Sequence, residues 1–212
     1  MGNKSHFFRQ KGGLKLLADY QFNNNLIDDA NGYNLTGSNI TYDNGSAVFN
    51  GSNSEARRTD ANDIFSFTDG VNDLPFRIEF FVKIGKLNGN NWLVSKRDGD
   101  SQKREWQINY TGSQNTMKIF LYDSSGNYMQ KGYVQPLLAD SFNNVVIEYD
   151  GSKTIDGLNI FVNGVVGTLN QSTGNYTGMI KTQSDLLIGR AGWDGSPSLR
   201  FSGEIDYLKI YK

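Results

Sequence analysis

Phe76-Arg-Ile-Glu-Phe-Phe-Val-Lys-Ile84 decides the fold class. Successive side chains of an extended strand point to opposite faces. Phe76, Ile78, Phe80, Val82 and Ile84 therefore share one side, and Arg77, Glu79, Phe81 and Lys83 the other. A helix would scatter the five apolar positions around its circumference, so the spacing predicts a half-buried strand. Outward from it, shorter alternating runs recur at 92–97, 104–111, 116–123, 145–150, 158–163 and 186–190. Turn formers separate them: Asp98-Gly99, Ser125-Gly126-Asn127, Asp150-Gly151 and Asp194-Gly195. Asn163-Gly164 between two apolar runs predicts a two-residue hairpin. No segment carries a helical period, and the expectation is an all-β fold of two antiparallel sheets, a sandwich or jelly roll.

Composition narrows the chemistry. Cysteine is absent and His6 is the single histidine, which removes thiol chemistry, zinc–thiolate sites and histidine-based acid–base catalysis. A formal charge of −1 supplies no field for nucleic acid. No apolar run approaches the ~18 residues of a membrane span, so membrane insertion is not expected. Residues 1–13 are polar and basic around Phe7-Phe8, end at Gly12-Gly13 and lack the apolar stretch of a signal peptide. They are expected to be a docking or disordered arm, with one sandwich domain over 14–212.

Several segments, in order, resemble one family. Leu17-Ala-Asp-Tyr-Gln-Phe-Asn-Asn-Asn-Leu-Ile-Asp-Asp-Ala-Asn-Gly32 is similar to the opening strand and loop of the laminin-G-like, concanavalin A-like lectin/glucanase domains, with Ala30 where that family usually has serine. Ala47-Val-Phe-Asn-Gly-Ser-Asn53, Phe76–Ile84 with Trp92-Leu-Val-Ser-Lys96, and Val145-Val-Ile-Glu-Tyr-Asp-Gly-Ser152 with Ile160-Phe-Val-Asn-Gly164 continue the resemblance. Leu187-Ile-Gly-Arg190 and Phe201-Ser-Gly-Glu-Ile-Asp-Tyr-Leu-Lys-Ile-Tyr211 complete it. The resemblance implies a concanavalin A-like jelly roll whose first and last strands lie side by side.

Retaining glucanases of that architecture carry two carboxylates on alternate positions of one strand, about 5 Å apart. Glu204-Ile-Asp-Tyr-Leu-Lys209 is the nearest match, but Lys209 stands where the acid/base carboxyl is required. An ammonium cannot donate as a neutral carboxyl does, and so close to the C-terminus the segment is expected to form a terminal strand, not a central cleft strand. A hydrolase or lyase is therefore the least favoured reading.

If the apolar rows face the core, the opposite rows present Arg77, Glu79, Phe81, Gln107, Asn109, Lys118, Phe120, Tyr122, Asn159 and Phe161 as one outer face. Aromatic rings stack on the C–H faces of sugars while planar amides take hydroxyls, so Gln107, Asn109, Phe120, Tyr122 and Phe161 are candidate ligand contacts. The phenylalanines, lacking a polar atom, equally suit a protein neighbour or burial under loops, and the three readings stay open. Trp193, in the Gly-rich loop after Arg190, is the leading candidate for stacking on a ligand, with Arg190 beside it. Trp92 and Trp106 are expected in the core, and Arg97, Asp98 and Asp100 at a solvated hairpin tip.

The resemblance also implies a structural calcium ion, for which Asp28, Asp29 and Asn31 with Asp206 are the candidate oxygen ligands; the alternative is an Asx-turn loop without metal. The expected function is a non-catalytic recognition module for glycans or a surface partner, extracellular or on a virion. Location logic points to a phage virion, which needs no export signal. The alternative is a structural virion or surface-assembly subunit docked through residues 1–13.

Overall fold

In the computed structural model, the structure describes residues 13–87, 89–98, 103–134, 137–138, 140–167, 169–192 and 200–212, with the side chains of 169–171 left aside. Strands are numbered in chain order. The first half of the chain forms β1 (Leu16–Tyr20), β2 (Thr36–Ser38), β3 (Thr41–Asp43), β4 (Ser46–Asn50), β5 (Glu55–Arg58), β6 (Phe76–Ile84), β7 (Asn90–Arg97) and β8 (Arg104–Thr111). The second half forms β9 (Thr116–Tyr122), β10 (Tyr128–Val134), β11 (Asn143–Tyr149), β12 (Leu158–Val162), β13 (Val165–Val166), β14 (Leu169–Ser172), β15 (Leu186–Ile188) and β16 (Ser202–Tyr211). One sheet runs β13-β12-β11-β6-β16-β4-β3, with β1 also paired to β16. The other runs β14-β10-β9-β8-β7-β15-β5-β2.

β6 buries every second residue from Phe76 to Ile84, as its alternation predicts. The rows Ile108/Tyr110, Met117/Ile119/Leu121 and Leu158/Ile160/Val162 are buried too, so both sheets feed one shared core. Aromatic stacking fills one end of it: the Phe67 ring lies 4.1 Å from Phe76 and 5.2 Å from Trp106. Trp106 Nε1 donates to the Phe65 carbonyl at 3.1 Å, so the indole is buried without stranding its donor. At the β12–β13 hairpin Asn163 and Gly164 have φ of 50° and 77°, the paired left-handed geometry of a type I′ turn.

The first and last strands do lie side by side, Tyr20 opposite Leu208. The expectation of a peripheral last strand fails, however. β16 is last in sequence yet central in its sheet, hydrogen-bonded to β6 on one side and to β4 and β1 on the other. Gly203 permits the β6–β16 approach: its φ is 148°, and a Cβ there would lie 2.1 Å from the Lys83 carbonyl oxygen. A register shift between Ile205 and Tyr207 then inserts Asp206 as an extra residue, leaving Ile205 and Leu208 both in the core.

One polar cluster is sealed inside. Lys96 Nζ lies 2.6 Å from Asp60 and 3.9 Å from Glu105, and all three side chains are fully buried. Lys96 also donates to the Ser184 carbonyl; Glu105 accepts from Ser66 Oγ and the Phe67 and Thr182 amides. The cluster thus ties the loops before β6 and before β15 to the second sheet. Burial pushes Glu105 from 4.5 up to about 7, against the pull of Lys96 and the surrounding donors.

Lys96→Met, which leaves two buried carboxylates without their cation, should cost about 3–5 kcal/mol in denaturant unfolding. The folded state holds the Glu105 proton more tightly than the unfolded chain does. Its contribution is therefore full below about pH 4.5 and lost as pH rises through about 7. The stability of the wild type relative to Glu105→Gln should accordingly fall across that interval, as measured by urea unfolding at each pH.

Candidate functional site

The outer face of the second sheet gathers most of the polar and aromatic candidates. Trp106, Ile108 and Tyr110 of β8 face the core, so Gln107 and Asn109 face outward; Lys118, Phe120 and Tyr122 of β9 do likewise. Antiparallel register sets Gln107 opposite Phe120 and Asn109 opposite Lys118. It also brings Tyr128 of β10 opposite Tyr122, and Trp92 of β7 opposite Asn109. Phe120, Tyr122 and Tyr128 form an aromatic cluster with ring centroids 5.5–6.2 Å apart, and Tyr128 is 40% exposed.

Gln107 organises the polar half. Its carbonyl oxygen accepts from Arg97 Nη1, and its amide nitrogen donates to the Tyr122 hydroxyl at 2.6 Å. The Arg97 guanidinium also lies over the Trp92 ring, 5.6 Å from its centroid. Arg104 sits directly opposite Arg97 across the β7–β8 pair. Burial pushes the Tyr122 hydroxyl up to about 12, although Arg97 and Arg104 pull it down, so it stays protonated and able to donate. Burial, and secondarily the Arg104 charge, lowers the proton affinity of Arg97.

Arg190 joins the same face. Ser95 Oγ donates to its carbonyl at 3.1 Å, and Arg190 and Arg200 both reach the Glu55 carboxylate, at 2.6 and 2.9 Å. Five of the seven ligand candidates, Arg190, Gln107, Asn109, Phe120 and Tyr122, thus fall on one face of the sheet, where Phe120 is half-buried and the other four are buried. Trp193 lies outside the described residues.

Phe161 does not belong to that surface. The outward residues expected as one face divide between two, because Arg77, Glu79, Phe81, Asn159 and Phe161 stand on strands of the first sheet. There Phe81 stacks between Phe142 and Tyr207, with centroids 4.9 and 5.9 Å away. Phe161 stands opposite Val146 and Val166 near the β13 edge. Alternation separates inside from outside within a strand; it does not say which sheet the strand joins.

Several contributors escaped the sequence reading. Trp92, expected in the core, is half-buried and faces outward beside Asn109. Arg97, expected at a solvated tip, is only 8% exposed. Arg104 and Tyr128 carried no local signal; pairing the strands through the Asp98 hairpin would have placed Arg104 opposite Arg97.

The calcium candidates do not converge. Asp28 Oδ1 accepts from the Asp19 and Ala30 amides and Oδ2 from those of Asn31 and Tyr33, so its carboxylate closes an Asx-type loop. Asn31 turns its amide nitrogen to the Leu16 and Leu17 carbonyls. Asp29 is exposed, and Asp206 accepts from Ser46 Oγ at 3.0 Å. Among the described residues no three acidic or histidine side chains are grouped to hold a metal ion. The donor set fits a loop staple, not an ion.

On β16, Glu204 pairs with Lys83, and Lys209 lies 3.6 Å from Asp19. The extra residue at Asp206 leaves Glu204 and Lys209 both on the outward side of β16, opposite Lys83 and Glu79, so an ammonium stands where a second carboxyl would be required. Among the described residues no helix is long and apolar enough to cross a membrane.

A family model of the concanavalin A-like lectin/glucanases superfamily matches residues 53–212. No curated protein matches by sequence. Among solved structures, the botulinum neurotoxin serotype D binding domain superposes with a TM-score of 0.66 at 13% identity, over 92% of this chain and 47% of that one. The binding domain of botulinum neurotoxin DC in complex with rat synaptotagmin II gives 0.66 at 14%, over 92% and 48%. Trypanosoma rangeli sialidase in complex with sialic acid gives 0.63 at 12%, over 92% and 30%. The chain therefore spans about half of the toxin domains and less than a third of the sialidase, and the likeness concerns the fold.

Asp28→Ala removes the acceptor of four backbone N–H donors and should lower stability by about 2–4 kcal/mol. Thermal unfolding with and without a calcium chelator should give the same loss; a loss confined to chelator-free buffer would restore the ion.

Proposed function

The chain belongs to the concanavalin A-like lectin/glucanase superfamily, and from that premise we propose that it is a non-catalytic recognition module whose second sheet binds a glycan on its outer face. The observation that carries this reading is the juxtaposition of the Phe120/Tyr122/Tyr128 cluster with the Arg97–Gln107–Tyr122 hydrogen-bond chain. The exposed Tyr128 ring and the half-buried Phe120 can meet the C–H faces of a sugar ring, while the buried Arg97–Gln107–Tyr122 chain holds the platform in place beneath them. The ion pairs of Glu204 and Lys209 support the non-catalytic part, since neither group is free to serve as nucleophile or acid.

A second reading has its own support. On the first sheet, Phe81, Phe142 and Tyr207 stack together on the outer face, and Phe161 stands beside the β13 edge, where Val165 and Val166 are 56% and 58% exposed. Aromatic and branched apolar side chains on an open strand edge suit a protein partner, as in a surface or virion assembly. Location on a cell or virion surface fits either reading.

On a glycan array followed by calorimetry, the wild type should retain at least one oligosaccharide. Tyr128→Ala should weaken that binding by about 0.5–1.5 kcal/mol, roughly two- to tenfold. Trp193→Ala forms a second arm. Retention of no glycan by the wild type would sink this reading and leave the protein partner.

A further inference from the structure

Among the described residues half of the cations are matched to acids, including Lys96 with Asp60, Lys83 with Glu204, Arg57 with Asp185, and Arg190 and Arg200 with Glu55. Arg97 and Arg104 are not. Among the described residues neither has a carboxylate within ion-pair distance, although Arg97 is more than nine-tenths buried. Its one hydrogen-bond acceptor among them is the neutral Gln107 amide, and a second guanidinium, Arg104, stands opposite it across the strand pair. The Nε atoms of both arginines, together with Trp92 Nε1, are buried donors without an acceptor among the described residues. Lys118, on the next strand, bonds the neutral Gln114 amide and has no carboxylate partner among the described residues.

Leaving a buried charge unpaired is costly, and placing two like charges across one strand pair adds repulsion. Such an arrangement favours an oxyanion, which planar guanidiniums bind through paired N–H groups. Resting on the reading of this face as a glycan site, we infer that Arg97 and Arg104 form an anion subsite within it and that the glycan carries a carboxylate or sulfate group. Arg104, half-buried, makes the contact; Arg97, held by Gln107 and Trp92, supplies charge from behind it. Phe120, Tyr122 and Tyr128 on the neighbouring strands take the ring that bears the anion.

The test uses the full chain and a panel of uronate-bearing and sulfated oligosaccharides, each beside its carboxyl-reduced or desulfated counterpart. Calorimetry should give about tenfold or more tighter binding of at least one charged member than of its neutral counterpart. The preference should weaken as salt rises. Whether the uronate or the sulfate pairs show it identifies the oxyanion. Arg104→Gln should abolish the preference while melting no lower than the wild type, because it removes repulsion and no ion pair. Equal affinity for charged and neutral members would overturn the anion subsite and leave the glycan reading standing. A preference that survives in Arg104→Gln, or a lower melting temperature for that variant, would also overturn it. Binding of no oligosaccharide at all would overturn both readings, and retention of nucleic acid instead would assign the cations to another class of ligand.

Discussion

The pairing of β6 with β16 holds the sandwich together. Every other strand of the first sheet reaches its place through one of these two: β11 against β6, β4 and β1 against β16. A strand flanked on both edges has its backbone groups satisfied by neighbours distant in sequence, so the C-terminal segment must arrive before the sheet is complete. Two local features make the fit possible. Gly203 lets the backbones approach, and the extra residue at Asp206 resets the alternation so that Ile205 and Leu208 both reach the core.

The core was legible in the sequence because its signal is local. The alternation of Phe76–Ile84 and the Asn163-Gly164 turn each depend on a few adjacent residues. The outer faces were only half legible. Phe81 and Phe120 carry the same pattern along their strands, yet one stands on the first sheet and the other on the second. That assignment depends on long-range pairing. β16 was misjudged for the same reason, since position in the chain does not give position in a sheet. Asp28 is a different case: a carboxylate in a turn can serve a cation or backbone amides, and its four backbone N–H donors depend on how the loop folds, which the sequence does not display.

The two faces differ in how charge is used. On the first sheet Arg77 bridges Glu79 and Glu148, and Tyr207 bonds Glu79 and Asn144, so the ionised groups largely satisfy one another. On the second sheet, among the described residues, Glu55 serves two arginines, while Arg97, Arg104 and Lys118 meet neutral amides or each other. The interior carboxylates do not help, because Asp60 and Glu105 are committed to Lys96. A surface with surplus donors is one on which partner charge matters more than contact area.

The meeting of β1 with β16 bears on how such a unit carries mechanical load. Lys15 and Lys212 exchange backbone hydrogen bonds of 2.9 and 3.0 Å, so the chain enters and leaves the sandwich at neighbouring points. Tension applied through those two points acts across the ladder and opens it one bond at a time, like a zipper, instead of shearing all its bonds together. β1 would peel away under modest force while β6 to β12 stayed folded. The outer face of the second sheet, to which β1 does not belong, would keep its geometry while the tether yields.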